Sequence, residues 1–164
     1  EHCRLALERG LTSGPHGLPL IGTGDWNDGM NRVGIGGKGE SVWLGFFLFD
    51  LLRQFGELAR RHGDAPFAEF CAQQAARLGD NLEQHAWDGA WYRRAWFDDG
   101  APLGAAENLE CQIDAISQTS TTAACAYPRG RAIRRTPSSL AHPQPCSAWP
   151  RRMRPRAGPR RNRA

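Results

Sequence analysis

The stretch Val42–Arg61 is the strongest constraint on how this chain can fold. Its sequence, VWLGFFLFDLLRQFGELARR, places Trp43, Phe46, Phe47, Leu51 and Leu58 around more than one narrow stripe of a helix. A helix with so broad an apolar surface requires neighbours on several sides. Ser41, just before it, is a favourable N-cap, and His62, Gly63 and Asp64 supply its end. A second helix is predicted from about Pro66 to Ala86. There Phe67, Phe70, Cys71, Ala75, Leu78, Leu82 and Ala86 recur at i, i+3, i+4 spacing, with Glu69, Gln73, Arg77 and Asp80 facing outward. Residues 2–10 read as the end of another helix stopped at Gly10, and a further helix is predicted to begin near Glu107. Between them, residues 87–97 are aromatic, lie between Asp-Gly turn signals, and predict a short extended segment.

Few further helices can be found, because the composition breaks near Gln118. Residues 119–164 hold 11 arginines and no Asp, Glu or Lys, so residues 1–118 keep 10 basic and 17 acidic residues, a net of −7. The tail also carries 7 of the 11 prolines and shows no helical period, which predicts disorder. It reads either as a basic arm for nucleic acid or as an out-of-frame translation of GC-rich coding sequence. The second is preferred, so no nucleic-acid partner is expected. The chain opens on Glu1 without a methionine, and its broad apolar helix lacks partners. Both features predict a piece of a larger helical domain.

No apolar run is long enough to cross a bilayer, and the first thirty residues lack a signal-peptide pattern. The five cysteines, Cys3, Cys71, Cys111, Cys125 and Cys146, form no CxxC pair and predict reduced thiols.

The chemistry concentrates in GTGDWNDGMNRVGIGGKGES, residues 22–41, with seven glycines in twenty residues. Asp25 and Asp28 stand three apart with Trp26 between them. Glycines beside the acids permit tight turns that aim a carboxylate into a cleft. Tryptophan offers a flat apolar face to a sugar ring, and burial beside an aromatic raises a carboxyl pKa as a general acid requires. Asp and Asn in such a loop equally serve as turn formers. A calcium loop is disfavoured by the spacing, and GIGGKGES lacks the order of a P-loop. Glu40, beside Ser41, reads as a carboxylate favouring the N-terminus of the following helix.

The segment GLPLIGTGDWNDGMNRVGIGGKGESVWLGFFL resembles the catalytic segment of glycoside hydrolase family 94. WDGAWYRRAWFDDGAPLGAAENLECQIDAISQ resembles the part that follows it. The likeness covers roughly residues 1–118 and is nearest the cyclic β-1,2-glucan synthetase branch, beside the cellobiose and chitobiose phosphorylases. It implies an all-α fold, a partial (α/α)6 barrel with a short extended aromatic segment. It implies an inverting glycosyltransferase of the β-glucoside phosphorylase type. Asp28 matches the family's general acid and Trp26 the tryptophan lining its sugar site.

Asp25, Arg32, Glu107 and Asn108 are further substrate-binding candidates, Asp25 being assigned first to shaping the loop. Trp87, Trp91, Tyr92 and Trp96 are assigned to packing. Inorganic phosphate is the implied co-substrate of a β-glucan or gluco-oligosaccharide, with no metal and no other cofactor. The implied location is the cytoplasm, or a soluble domain of an inner-membrane protein. After AISQ the family pattern gives way, and the alternative is a truncated chain with weak carbohydrate binding at most.

Overall fold

The computed structural model describes residues 1–119; the tail readings from residue 120 onward lie outside the described residues. The described part is mostly helical. Helix α1, His2–Gly10, is followed by a looping segment that enters β1, Glu40–Ser41. Helix α2, Val42–Arg61, and helix α3, Ala65–Asn81, then form an antiparallel pair. A π-helical turn, Leu82–Ala86, extends α3 to its expected end, and β2, Ala95–Trp96, and β3, Pro102–Leu103, follow. The three two-residue strands form one antiparallel sheet in the order β1-β2-β3. The sheet is a small departure from a wholly helical fold.

Local chemistry explains the helix limits. The Ser41 hydroxyl accepts a hydrogen bond from the Leu44 N–H at 3.1 Å, as an N-cap does. Asp64 caps α3 in the same way through the Phe67 N–H at 3.2 Å, and Pro66 occupies the first turn, where its missing donor costs nothing.

Two apolar clusters hold the fold. The larger joins Leu48 and Leu52 of α2 to Cys71, Ala75 and Leu78 of α3, with Leu82, Phe46 and Tyr92. Phe46 meets Tyr92 edge-on at 5.0 Å. On its other side α2 leaves Phe47 and Leu58 about half exposed, and Trp43 stacks on Phe47 at 5.3 Å. The broad apolar surface is therefore covered on one side by these residues and open on another. The smaller cluster comprises Ile21, Met30, Val33, Ala95, Phe97, Leu103 and Cys111, and lies beneath the glycine-rich loop.

The segment after Leu103 departs from expectation. No helix starts near Glu107. Asn108 closes a turn by accepting from the Ala105 N–H at 2.8 Å and donating to the Pro102 carbonyl at 3.1 Å. Cys111 takes φ of 58°, which a helix does not tolerate. Helical backbone begins only at residue 115, where Asp114 accepts from the Ile116 N–H at 2.9 Å. Among the cysteines, Cys3 and Cys71 are free thiols and Cys71 is buried on α3 as expected.

Candidate functional site

The loop between Ile21 and Glu40 is anchored at its base and open at its tip. At the base, the Ile21 N–H donates to the Gly39 carbonyl at 2.9 Å and the Asp98 N–H donates to the Val33 carbonyl at 3.0 Å. The Asp98 carboxylate then accepts from the N–H groups of Gly36 (2.6 Å), Lys38 (2.8 Å) and Gly39 (2.9 Å). Burial on its own would raise the Asp98 pKa. The three N–H donors and the Lys38 charge outweigh it and hold the carboxyl below its ordinary range. Gly39 is required sterically: a Cβ there would lie 2.5 Å from the Val33 carbonyl oxygen. Gly22, with φ of 56°, turns the chain into the tip through the left-handed region.

At the tip, Asp25 and Met30 are the buried posts and residues 26–28 span between them. The Asp25 side chain is fully buried. Arg94 grips it with both terminal nitrogens, each at 2.7 Å, and the Ser41 hydroxyl donates to it at 2.6 Å. The Asn27 N–H adds a further hydrogen bond at 3.0 Å. Burial would raise the Asp25 pKa, but the Arg94 guanidinium, the Ser41 hydroxyl and the Asn27 N–H together hold it below its ordinary 3.8. Met30 packs into the smaller cluster. Between the posts a 3-10 turn, Asp28–Met30, is capped by Asn27, whose side chain accepts from the Gly29 N–H at 2.9 Å.

Trp26, Asn27 and Asp28 are all exposed, Trp26 at 66%. The loop tip thus leaves an aromatic ring and a carboxyl group, two residues apart in the chain, open to a ligand; Asp28 is exposed and not buried against an aromatic as the sequence pattern suggested. Such a carboxyl can give a proton to a leaving oxygen within hydrogen-bond reach. Asp25 cannot do so, since its oxygens are committed to Arg94, Ser41 and Asn27.

Of the other expected site residues, Arg32 belongs to the same loop, while Glu107 and Asn108 lie far along the chain. Arg32 is exposed just beyond the 3-10 turn. Glu107 is exposed and lies 3.8 Å from Arg93. Asn108 spends its side chain on the turn described above. The aromatic residues are packed: Tyr92 is buried, and the Trp91 ring N–H donates to the Gln112 carbonyl at 2.7 Å. Trp96 stacks on His16 at 4.1 Å.

Glu40 corrects the sequence expectation. Its carboxylate does not serve the N-terminus of α2: Glu40 lies in β1, fully buried, where it accepts from the backbone N–H groups of His16 and Leu18, both at 3.0 Å, and pairs with the His16 ring. A buried carboxylate finds these partners more profitably than an exposed helix dipole. Sequence reasoning also missed Arg94 and Asp98. The available signal for Arg94 was a charge placed two residues from Tyr92 and followed by Ala95 in an otherwise aromatic, half-buried segment. Among the described residues, no group of three His, Cys, Asp or Glu side chains is placed to hold a metal ion, and no helix is long and apolar enough to cross a membrane.

Comparison with known proteins agrees with the resemblance. Residues 1–136 match the family model described as glycosyl hydrolase 94 superfamily, catalytic domain, so the match runs past the composition break. The chain is 47% identical over 142 residues to the cyclic beta-(1,2)-glucan synthase NdvB of Rhizobium meliloti (strain 1021), covering 86% of this chain and 5% of the relative. It is 40% identical over 107 residues to solabiose phosphorylase of Paenibacillus borealis, covering 65% of this chain and 14% of the relative. It is 35% identical over 112 residues to cellobionic acid phosphorylase of Neurospora crassa, covering 68% and 14%. The chain therefore spans only a small part of the length of the relatives it matches. With more than half of its residues inside the matched span, the chain belongs to the glycosyl hydrolase 94 superfamily, within its catalytic domain.

Proposed function

We propose that this chain is the acid-bearing part of an (α/α)6 domain that transfers β-linked glucosyl units to inorganic phosphate with inversion. One observation carries the proposal: of the two carboxylates in the loop, Asp25 is buried and fully partnered while Asp28 is exposed, two residues along the chain from Trp26. A hydrolase that inverts needs a second carboxylate to activate water. Phosphate is already a nucleophilic anion, so phosphorolysis needs only the acid. Phosphate attacks the anomeric carbon from the face opposite the leaving group, Asp28 protonates the leaving oxygen, and the product is an α-sugar 1-phosphate. Trp26 offers its face to the sugar beside the scissile bond, with Arg32, Glu107 and Asn108 as further candidates for the sugar or phosphate. The names of the relatives, a glucan synthase and several phosphorylases, support the substrate class. No metal and no other cofactor enter this chemistry.

In this proposal residues 1–118 are the domain piece and residues 119–164 a separate tail. The working location is the cytoplasm, or a soluble domain of a protein held in the inner membrane. The test is incubation with gluco-oligosaccharides and phosphate. Sugar 1-phosphate forms, and Asp28→Asn abolishes it while the circular dichroism spectrum is unchanged. A second reading draws on the exposure of Trp26: a catalytically silent chain that binds carbohydrate weakly through that ring. Oligosaccharide binding without sugar 1-phosphate would favour it.

A further inference from the structure

The motif DAISQ, residues 114–118, has no part in the chemistry proposed above, yet it grips the strand segment that holds the acid loop. Asp114 and Gln118 are four apart, one helical turn, so both side chains leave the same face. Tyr92 and Arg94 are two apart on extended chain, so they too share a side. The two spacings meet. The Gln118 amide accepts from the Tyr92 N–H at 3.0 Å and donates to the Tyr92 carbonyl at 2.6 Å, pairing with the backbone as a strand would. The Asp114 carboxylate lies 3.5 Å from the Arg94 Nε, an ion-pair distance at which that nitrogen makes no hydrogen bond. Beyond Arg94 the fork closes on Asp25, and Asp25 accepts from the Asn27 N–H, one residue from Asp28.

Arg94 is thus a single buried cation, 1% exposed, set between two carboxylates from opposite ends of the described chain. A lysine in its place would keep the charge. It could not set two coplanar nitrogens against the two oxygens of one carboxylate.

We infer that Arg94 is a positioning residue for the acid loop: through Asp25 it fixes the span carrying Trp26 and Asp28, and the DAISQ helix holds Arg94 in place. The catalytic half of this inference rests on the phosphorolysis proposed above; the loop-holding half does not. Two measurements on the full chain separate them. Amide hydrogen exchange at Asn27 and Met30 reports the loop, since both N–H groups bond within it, at 3.0 Å each. Phosphorolysis kinetics with a gluco-oligosaccharide report the acid.

In Arg94→Lys, exchange at Asn27 and Met30 rises at least tenfold while amides in the middle of α2 keep their protection. The turnover kcat falls by about tenfold or more, with KM for phosphate within about twofold, as expected when orientation rather than binding is lost. Asp114→Asn and Gln118→Ala, at the less buried end of the chain of contacts, give the same pattern more weakly and guard against a misfolded Arg94 variant. Unchanged loop exchange in all three folded variants would overturn the inference. Raised exchange with unchanged kcat would overturn its catalytic half. Wild-type chain without phosphorolysis, but with the raised exchange in the variants, would defeat the proposed function and support the positioning role.

Discussion

Ser41 donates its hydroxyl hydrogen to Asp25 at 2.6 Å and accepts the Leu44 N–H on the same oxygen at 3.1 Å. One side chain therefore starts α2 and holds the buried acid of the loop. Ser41→Ala loses both bonds and leaves Asp25 with one partner fewer. The cap alone is worth about 1 kcal/mol, and a buried acceptor deprived of a donor adds about 1–3 kcal/mol. The expected loss is about 2–4 kcal/mol, read from urea midpoints. Ser41→Thr, which keeps the hydroxyl, should retain most of the stability. Equal losses in the two variants would mean that the hydroxyl matters little.

Acid should act on the same network. The folded-state pKa of Asp25 is depressed below 3.8. A depressed carboxylate contributes stability that is present above its unfolded pKa and lost as pH falls through the folded one. At neutral pH the contribution is complete; it declines below about pH 4. Asp25→Asn removes it at every pH and leaves Arg94 buried with a weakened partner, at a cost of about 3–5 kcal/mol near neutrality. The stability gap between wild type and Asp25→Asn should therefore narrow on acidification below pH 4. A gap that stays constant throughout would contradict the linkage.

The loop base makes a steric prediction that charge does not enter. A Cβ at Gly39 would fall 2.5 Å from the Val33 oxygen and 2.6 Å from the Gly34 Cα, both backbone atoms that cannot swing aside. Gly39→Ala should cost about 2 kcal/mol or more, in the range of overpacked sites. At Gly37 the requirement is conformational: φ is 81° and nothing lies within 4 Å of a Cβ. Asn tolerates that backbone far better than β-branched residues. Gly37→Asn should be nearly neutral and Gly37→Val clearly destabilising. Thermal melts of the three variants decide between these two kinds of glycine.

The helices were legible because periodicity and caps are local. Ser41, Asp64 and Pro66 stand at the ends where their side-chain chemistry demands, and the outward set Glu69, Gln73, Arg77 and Asp80 is exposed as its spacing requires. The division between the two loop acids was legible only in outline. What fixes Asp25 is Arg94, sixty-nine residues away. What fixes the glycines at 36–39 is Asp98, about sixty residues away. No local pattern announces such partners. The false helix near Glu107 has a related cause. Asn108 has closed a turn there, and Leu109 beside it is fully exposed. Glu40 was misplaced for the same reason: its ligands, His16 and Leu18, lie in a preceding loop rather than in the helix beside it.

The two acids should part company most clearly under neutral substitution. Asp28 is exposed and Asp25 fully buried. Asp28→Asn leaves the Asn27 cap and the Met30 anchor in place, so stability should stay within about 0.5 kcal/mol, as for surface changes generally. Loss of a general acid should lower phosphorolysis by about 10²–10⁴-fold, more for a poor leaving group. A substrate whose leaving group needs no proton, such as a fluoride, should recover much of that loss. Asp25→Asn should show the reverse profile: a large fall in stability, and a fall in activity that the fluoride does not recover. Calorimetry paired with kinetics on both leaving groups checks all four expectations. Recovery by the fluoride in Asp25→Asn but not in Asp28→Asn would exchange the roles of the two residues.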